Sequence, residues 1–202
     1  MKPQTILIIV GLMAIPVIGF AAYSAALAPL PDGFPQPTAA GKIEVKHYPA
    51  YRSGTYTYKG KLSQAANESF EPLFQHISSN GISMTAPVEA RYPSMTLEEL
   101  PNRKPDEEGQ VEVSFLYRNE AVQPKQIAEG IKVESHASVT VVSIGVSGPY
   151  TYTAYQENLA RLRDWLSKNR NYVVVGLPRR FFYDSPFIPD GLKRSEVQIP
   201  IQ

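Results

Sequence analysis

Apolar side chains recur along this chain with two periods. In "IEVKHYPAY" (43–51) they alternate as in a half-buried strand: Ile43 and Val45 point one way, Glu44 and Lys46 the other, and His47 falls with the aliphatic pair. Pro49 allows a short break, and the Tyr- and Thr-rich "YRSGTYTYK" (51–59) continues as a second strand, so the two read as a hairpin. Ser63 is placed to cap a helix running to about Ser79, which Asn80 and Gly81 end. Phe70, Leu73, Phe74 and Ile77 recur at i, i+3, i+4 and i+7 as a core-facing stripe, and Pro72 inside it predicts a kink or a late start. In "GISMTAPVEARY" Ile82, Met84, Ala86 and Val88 share parity, which predicts a third strand. A charged, turn-rich loop follows over 94–110, and "VEVSFLYR" (111–118) then alternates cleanly.

The second half repeats this order. Ile131 to Val146 is β-rich with a break near His136, and 151–169 is helical on a stripe of Tyr155, Leu159, Leu162 and Leu166. "YVVVG" (172–176), "RRFFYD" (179–184) and "SEVQIPI" (195–201) complete the strands. Two halves, each of two strands, a helix and further strands, predict an α+β domain built from two similar units. The repeat is one of element order, without residue identity between the halves.

The ends of the chain add a location. Ile6 to Ala28 holds no charge, follows the single Lys2, and is long enough to cross a hydrocarbon core of about 30 Å. Residues 1–28 therefore read as an N-terminal signal or membrane anchor. The uninterrupted length favours an uncleaved anchor, whereas "ALA" at 26–28 is a small-x-small cleavage pattern with Pro29 as a poor neighbour. The expected result is a membrane-anchored protein with an exported domain, or a secreted or periplasmic one if the segment is cleaved. Residues 29–41 hold four prolines and two glycines and read as a Pro-rich linker with little to bury, leaving 42–202 as the folded domain.

Charge and composition narrow the function. Lys and Arg total 20 and Asp and Glu 19, and Lys2 is the only charge before Pro29, so the exported part balances and no nucleic-acid partner is expected. There is no cysteine, which excludes disulfides, thiolate metal sites and a cysteine nucleophile.

"IEVKHYPAY", "SFEPLFQHISSNG", "ISMTAPV", "YDSP" and "KRSEV" occur in an order that resembles the SOUL heme-binding family, from about residue 42 to the end, with "MTAPV" after a helix ending near Gly the most specific piece. The resemblance implies a pseudo-two-fold, distorted β-barrel of about eight strands flanked by two helices, related in shape to the small-molecule-binding domain of the gyrase-inhibitor-like group. It also implies non-catalytic binding of heme or another tetrapyrrole. Some members carry a histidine in the first strand as a proposed axial iron ligand, and His47 in "EVKHY" occupies that place, which makes it the candidate metal ligand. A bare histidine there is otherwise a core or edge ring bonded to a carbonyl or carboxylate.

Other residues are candidates around such a macrocycle. Leu73, Phe74 and Ile77 are placed under it, Met84 offers a thioether, and Tyr48, in a cluster with Tyr51, Tyr56 and Tyr58, offers a phenolate. Two propionates need cations, for which Arg52 suits bidentate pairing better than Lys46, Lys59 or Lys61. Each also has a plain structural reading as core filler, cross-strand packing or a solvated strand face. His76 reads as a packed or half-exposed ring and His136 as solvated.

A function of another class is a receptor-like domain for cationic or aromatic small molecules, motivated by Glu196 in "KRSEV". The plain reading of Glu196 is an exposed residue paired with Lys193 or Arg194, since Val197, Ile199 and Ile201 own the other face. An enzyme is the minority reading: the sequence has no paired carboxylates at useful spacing, no Ser-His-Asp arrangement and no metal-ligand spacing. Oligomeric state is left open.

Overall fold

The computed structural model describes residues 28–202 except positions 94 and 186. The anchor expected over 1–28 lies outside them apart from Ala28; among the described residues no helix is long and apolar enough to cross a membrane.

Eight strands alternate with two helices: β1 (Ile43–Tyr48), β2 (Tyr51–Lys61), α1 (Ala65–Ser79), β3 (Val88–Arg91), β4 (Glu108–Leu116), β5 (Ile131–His136), β6 (Val139–Ser147), α2 (Tyr152–Lys168), β7 (Arg179–Phe182) and β8 (Arg194–Ile201). They form one antiparallel sheet in the order β1-β6-β8-β7-β3-β4-β2-β5. Exchanging each strand with its counterpart in the other half (β1 with β5, β2 with β6, β3 with β7, β4 with β8) reverses this order into itself. A pseudo-two-fold axis therefore passes between β3 and β7, and each half lends its first strand to the other.

That exchange corrects the expected hairpin. β1 pairs with β6, while β2 pairs with β4 and β5. Only Pro49 and Ala50 separate β1, at one edge of the sheet, from β2, seventh in order. Three peptide links span at most about 11 Å, so the sheet must curl until its ends approach. It is an open, barrel-like sheet with a concave and a convex face.

The helices cover the convex face, α1 against β2 and β4 and α2 against β6 and β8. Thr151 caps α2 by accepting a bond from the Ala154 amide at 3.1 Å. Tyr155, Leu159 and Leu162 of the expected stripe are buried, together with Tyr152 and Asn158. In α1 the inward face is rotated from the expected one. Ser69, Leu73, His76 and Ile77 are buried, whereas Phe74 is 45% exposed and Phe70 stacks beside it at 5.8 Å. The helix starts after a 3-10 turn over Leu62–Gln64 with Pro72 inside, and Ser63 belongs to that turn. Two other strands shorten: β3 begins only at Val88, and "YVVVG" contributes one bridge, Val174 to Ile201.

Residues 29–41 are not a free tether. They lie as a strap across the concave face, with Phe34 and Thr38 buried. Prolines leave this segment few amide donors, and two of them bond the sheet side: the Asp32 amide donates to the Arg118 carbonyl at 2.8 Å and the Gly41 amide to the Gly145 carbonyl at 2.8 Å. Gly145 is required there, because a Cβ would collide with the Thr38 and Ala39 carbonyls.

Leu162 is fully buried between α2 and the sheet. Leu162→Ala should lower stability by about 2–5 kcal/mol, through lost burial and the cavity left behind. Urea unfolding of the full chain measures this, and a change near zero would place the residue in solvent.

Candidate functional site

Alternation along the strands sends one set of side chains to each face, and the two faces differ in chemistry. The convex set, including Val111, Val113, Phe115, Val142, Ile144, Val197 and Ile199, is aliphatic and aromatic and packs under the helices. The concave set carries charge: Lys46 from β1, Glu89 and Arg91 from β3, Arg179 from β7, Glu196 and Gln198 from β8, with Tyr48 and Tyr51 on either side of the Pro49–Ala50 corner.

These groups form one connected network. Glu196 is fully buried; it pairs with Lys46 Nζ at 2.7 Å, accepts from the Tyr48 hydroxyl at 3.1 Å, and also takes the Thr38 amide and the Gln198 side-chain amide. Lys46 Nζ donates further to the Gln36 carbonyl of the strap at 2.7 Å. Gln198 joins the halves, giving Nε2 to the Tyr48 hydroxyl at 2.8 Å and taking Arg179 Nε at 2.8 Å. Arg179 Nη1 meets Glu89 at 3.2 Å and the Tyr51 hydroxyl at 3.0 Å, while Arg91 Nε holds the same carboxylate at 2.8 Å. His136 stacks on Tyr51 at 4.4 Å and shares a 2.9 Å bond with Ser53.

Charge pairing overrides desolvation here. Burial pushes both carboxyls up, but Lys46 beside Glu196, and Arg91 with Arg179 beside Glu89, hold them below the usual carboxylate value. The Tyr48 and Tyr51 hydroxyls are driven far up, chiefly by burial and then by the adjacent carboxylates, so they remain neutral donors. Burial pushes His136 and His76 down, keeping both rings neutral.

Several expectations change accordingly. Glu196 does point away from Val197 and Ile199, yet it is buried, because the strap and the curl of the sheet cover the second face too. His136 is partly buried and bonded rather than solvated, whereas His76 is the packed ring of its two readings, fully buried with Nε2 2.9 Å from the Tyr117 hydroxyl. Tyr48 and Lys46 are committed to the concave network, so Lys46 is not free for a propionate.

His47 itself shares a face with Ile43 and Val45 as expected, but that face of the edge strand is open: Val45 is 41% exposed and His47 is exposed. Its Nδ1 lies 3.3 Å from Thr140 Oγ1 on β6. Arg52 is half-buried on the convex side of β2, across the corner from His47. Leu73 and Ile77 are core residues under α1, Phe74 lies on that helix's outer surface, and Met84 is partly buried in the stretch before β3. α1 packs on β2, β4 and β5 and makes no substantial contact with β1, so the candidates are not gathered into one slot around His47. Among the described residues no cluster of His, Asp or Glu is arranged to hold a metal ion. A tetrapyrrole fits this arrangement only as a group docked on the outer surface, with an imidazole at the sheet edge, and not as one enclosed in the sheet.

Arg179, Glu89 and the strap were missed in the sequence. A signal exists for three strands: β1, β3 and β8 each place a charge at the parity opposite their aliphatic residues, with both signs present, whereas β7, Arg179–Phe182, puts one Arg and one Phe on each face.

The sequence matches the family described as SOUL heme-binding protein over residues 36–200, and the chain belongs to that family. No curated protein matches it closely. The fold is shared with solved structures at low identity. The C-terminal domain of EcmrR superposes with a TM-score of 0.62 and 15% identity over 80% of this chain and 97% of that one. In an EcmrR–DNA complex the values are 0.63 and 16%, with 80% of this chain matching 57% of that one, so this chain spans little more than half of it. A hydrolase from Listeria innocua gives 0.56 and 13% over 83% and 94%. Likeness at this identity defines the architecture, a two-helix, pseudo-two-fold α+β sheet.

Removing one partner of a buried pair strands the other charge, so Glu196→Gln should cost about 3–5 kcal/mol, while adding Lys46→Met to it, which removes the stranded charge and keeps an acceptor for Thr38, Tyr48 and Gln198, should recover part of it. Denaturant unfolding of the three proteins tests this, and a neutral single substitution would mean that Lys46 reaches water in solution.

Proposed function

We propose that this protein is an exported, membrane-tethered binder of heme or a related tetrapyrrole, serving as carrier, buffer or sensor rather than as an enzyme. Family membership over 36–200 supports the ligand class. The observation that supports the site is the exposure of His47 with Nδ1 engaged by Thr140, which leaves Nε2 turned outward. An imidazole oriented through one nitrogen is suited to ligate through the other. Arg52, on the same outer side of the corner, is the cation we assign to pair a propionate, since Lys46 is taken by Glu196. A receptor for organic cations draws no support from Glu196, whose two oxygens already take four donors.

His47→Ala should weaken hemin binding and shift the Soret band, leaving iron-free porphyrin affinity and the unfolding curve unchanged. Hemin titration with unchanged spectrum and affinity would remove His47 as a ligand.

Export rests on the apolar run Ile6–Ala28 following Lys2. Protease added outside intact cells, with the envelope permeabilised where there is an outer membrane, should digest the domain; complete protection would place it in the cytoplasm.

A further inference from the structure

The concave face is filled by a side chain that belongs to the strap. Phe34 is buried with its ring centroid 5.0 Å from Tyr48, 5.5 Å from Tyr51 and 6.4 Å from Phe181, edge-on to the tyrosines and nearly parallel to Phe181. The Arg179 guanidinium packs on the same three rings, with its carbon 5.0, 6.0 and 4.5 Å from their centroids. Arg179 is 2% exposed, and although Nε and Nη1 are bonded, its Nη2 has no hydrogen-bond partner among the described residues. A buried guanidinium nitrogen left open is costly, and a ligand acceptor is one way to satisfy it.

The strap that carries Phe34 is fastened by backbone bonds only toward its two ends. Between Asp32 and Thr38 its backbone meets the sheet only through side chains: Lys46 reaches the Gln36 carbonyl, and Glu196 takes the Thr38 amide. The Phe34 amide bonds back to Pro31 within the strap. The remaining fastening near Asp32 includes a surface ion pair with Arg118, of the kind that adds little stability.

We propose that the space occupied by Phe34 is a binding site for a small aromatic carboxylate, and that the strap is its displaceable cover. The ligand ring takes the place of the Phe34 ring among Tyr48, Tyr51 and Phe181, and its carboxylate accepts from Arg179 Nη2. The selectivity follows from unused valence. Glu196 and Glu89 already receive Lys46, Arg91 and Arg179 together with hydroxyl and amide donors, so an ammonium finds no open acceptor, whereas a carboxylate finds an open donor. A space vacated by one phenyl ring admits a single ring and excludes a macrocycle. The site is distinct from His47, which lies on the opposite face of β1 from Lys46 and Tyr48.

Calorimetric titration of the full chain with benzoate, benzyl alcohol and benzylamine tests this. Removing the cover should raise apparent affinity, because a covered site is only fractionally available. Phe34→Ala should therefore bind benzoate roughly tenfold or more tighter than wild type, and tighter than it binds the alcohol or the amine. Adding His47→Ala should leave benzoate binding unchanged. Equal affinities for the three probes, preference for benzylamine, or no gain over wild type would overturn the proposal. Should Phe34→Ala fail to fold, limited proteolysis of the wild type decides: millimolar benzoate should expose the strap to cleavage where benzylamine does not, and an identical pattern with both would overturn it.

Discussion

Two carboxylates inside a curled sheet set the terms for everything around them. Glu89 and Glu196 sit on strands that are not neighbours: Glu196 is neutralised by Lys46 from the edge strand β1, and Glu89 by Arg91 of its own strand and Arg179 of β7. Ions taken out of water at this depth are tolerated only when nearly every lone pair is met. The network therefore needs β1, β3, β7 and β8 in register at once, together with the strap amide that closes on Glu196. It ties the strap, the corner and both halves of the pseudo-two-fold into one unit.

The symmetry of the chain is one of architecture rather than chemistry. Its halves exchange first strands, each covers its part of the convex face with one helix, and the axis passes between β3 and β7. On the convex side the requirement is shared, since both helices cover aliphatic strand faces. On the concave side it differs. Glu196 is paired with a lysine of the exchanged strand, whereas Glu89 is paired with arginines of its own strand and of β7. Adjacent Arg179 and Arg180 show how alternation distributes charge. Arg179 enters the ion network, while Arg180 turns under α2, giving Nη2 to the Thr151 carbonyl at 3.1 Å and lying over Tyr155 and Phe182.

The two faces differ in what is open. An interior closed by ion pairs and by Phe34 has no room for a macrocycle, whereas His47 is open at the outer edge of β1. The two places lie on opposite faces of one short strand and share no side chain.

Element order, the doubled architecture, the family and the buried stripe of α2 were legible in the residues alone, because these depend on local periodicity and on motifs a few residues long. Alternation also placed Ile43, Val45 and His47 on one side of β1. Which side of β1 is buried was decided only in three dimensions. Parity sorts side chains into two faces but does not say what covers each, and here the charged face is the covered one. Lys46 and Glu196 stand 150 residues apart, and neither reads as a core residue until the other is beside it. The strap was hidden for the same reason. Its prolines suggested a segment with little to bury, and Phe34 gains its place only from rings supplied by β1, β2 and β7 once the sheet has curled.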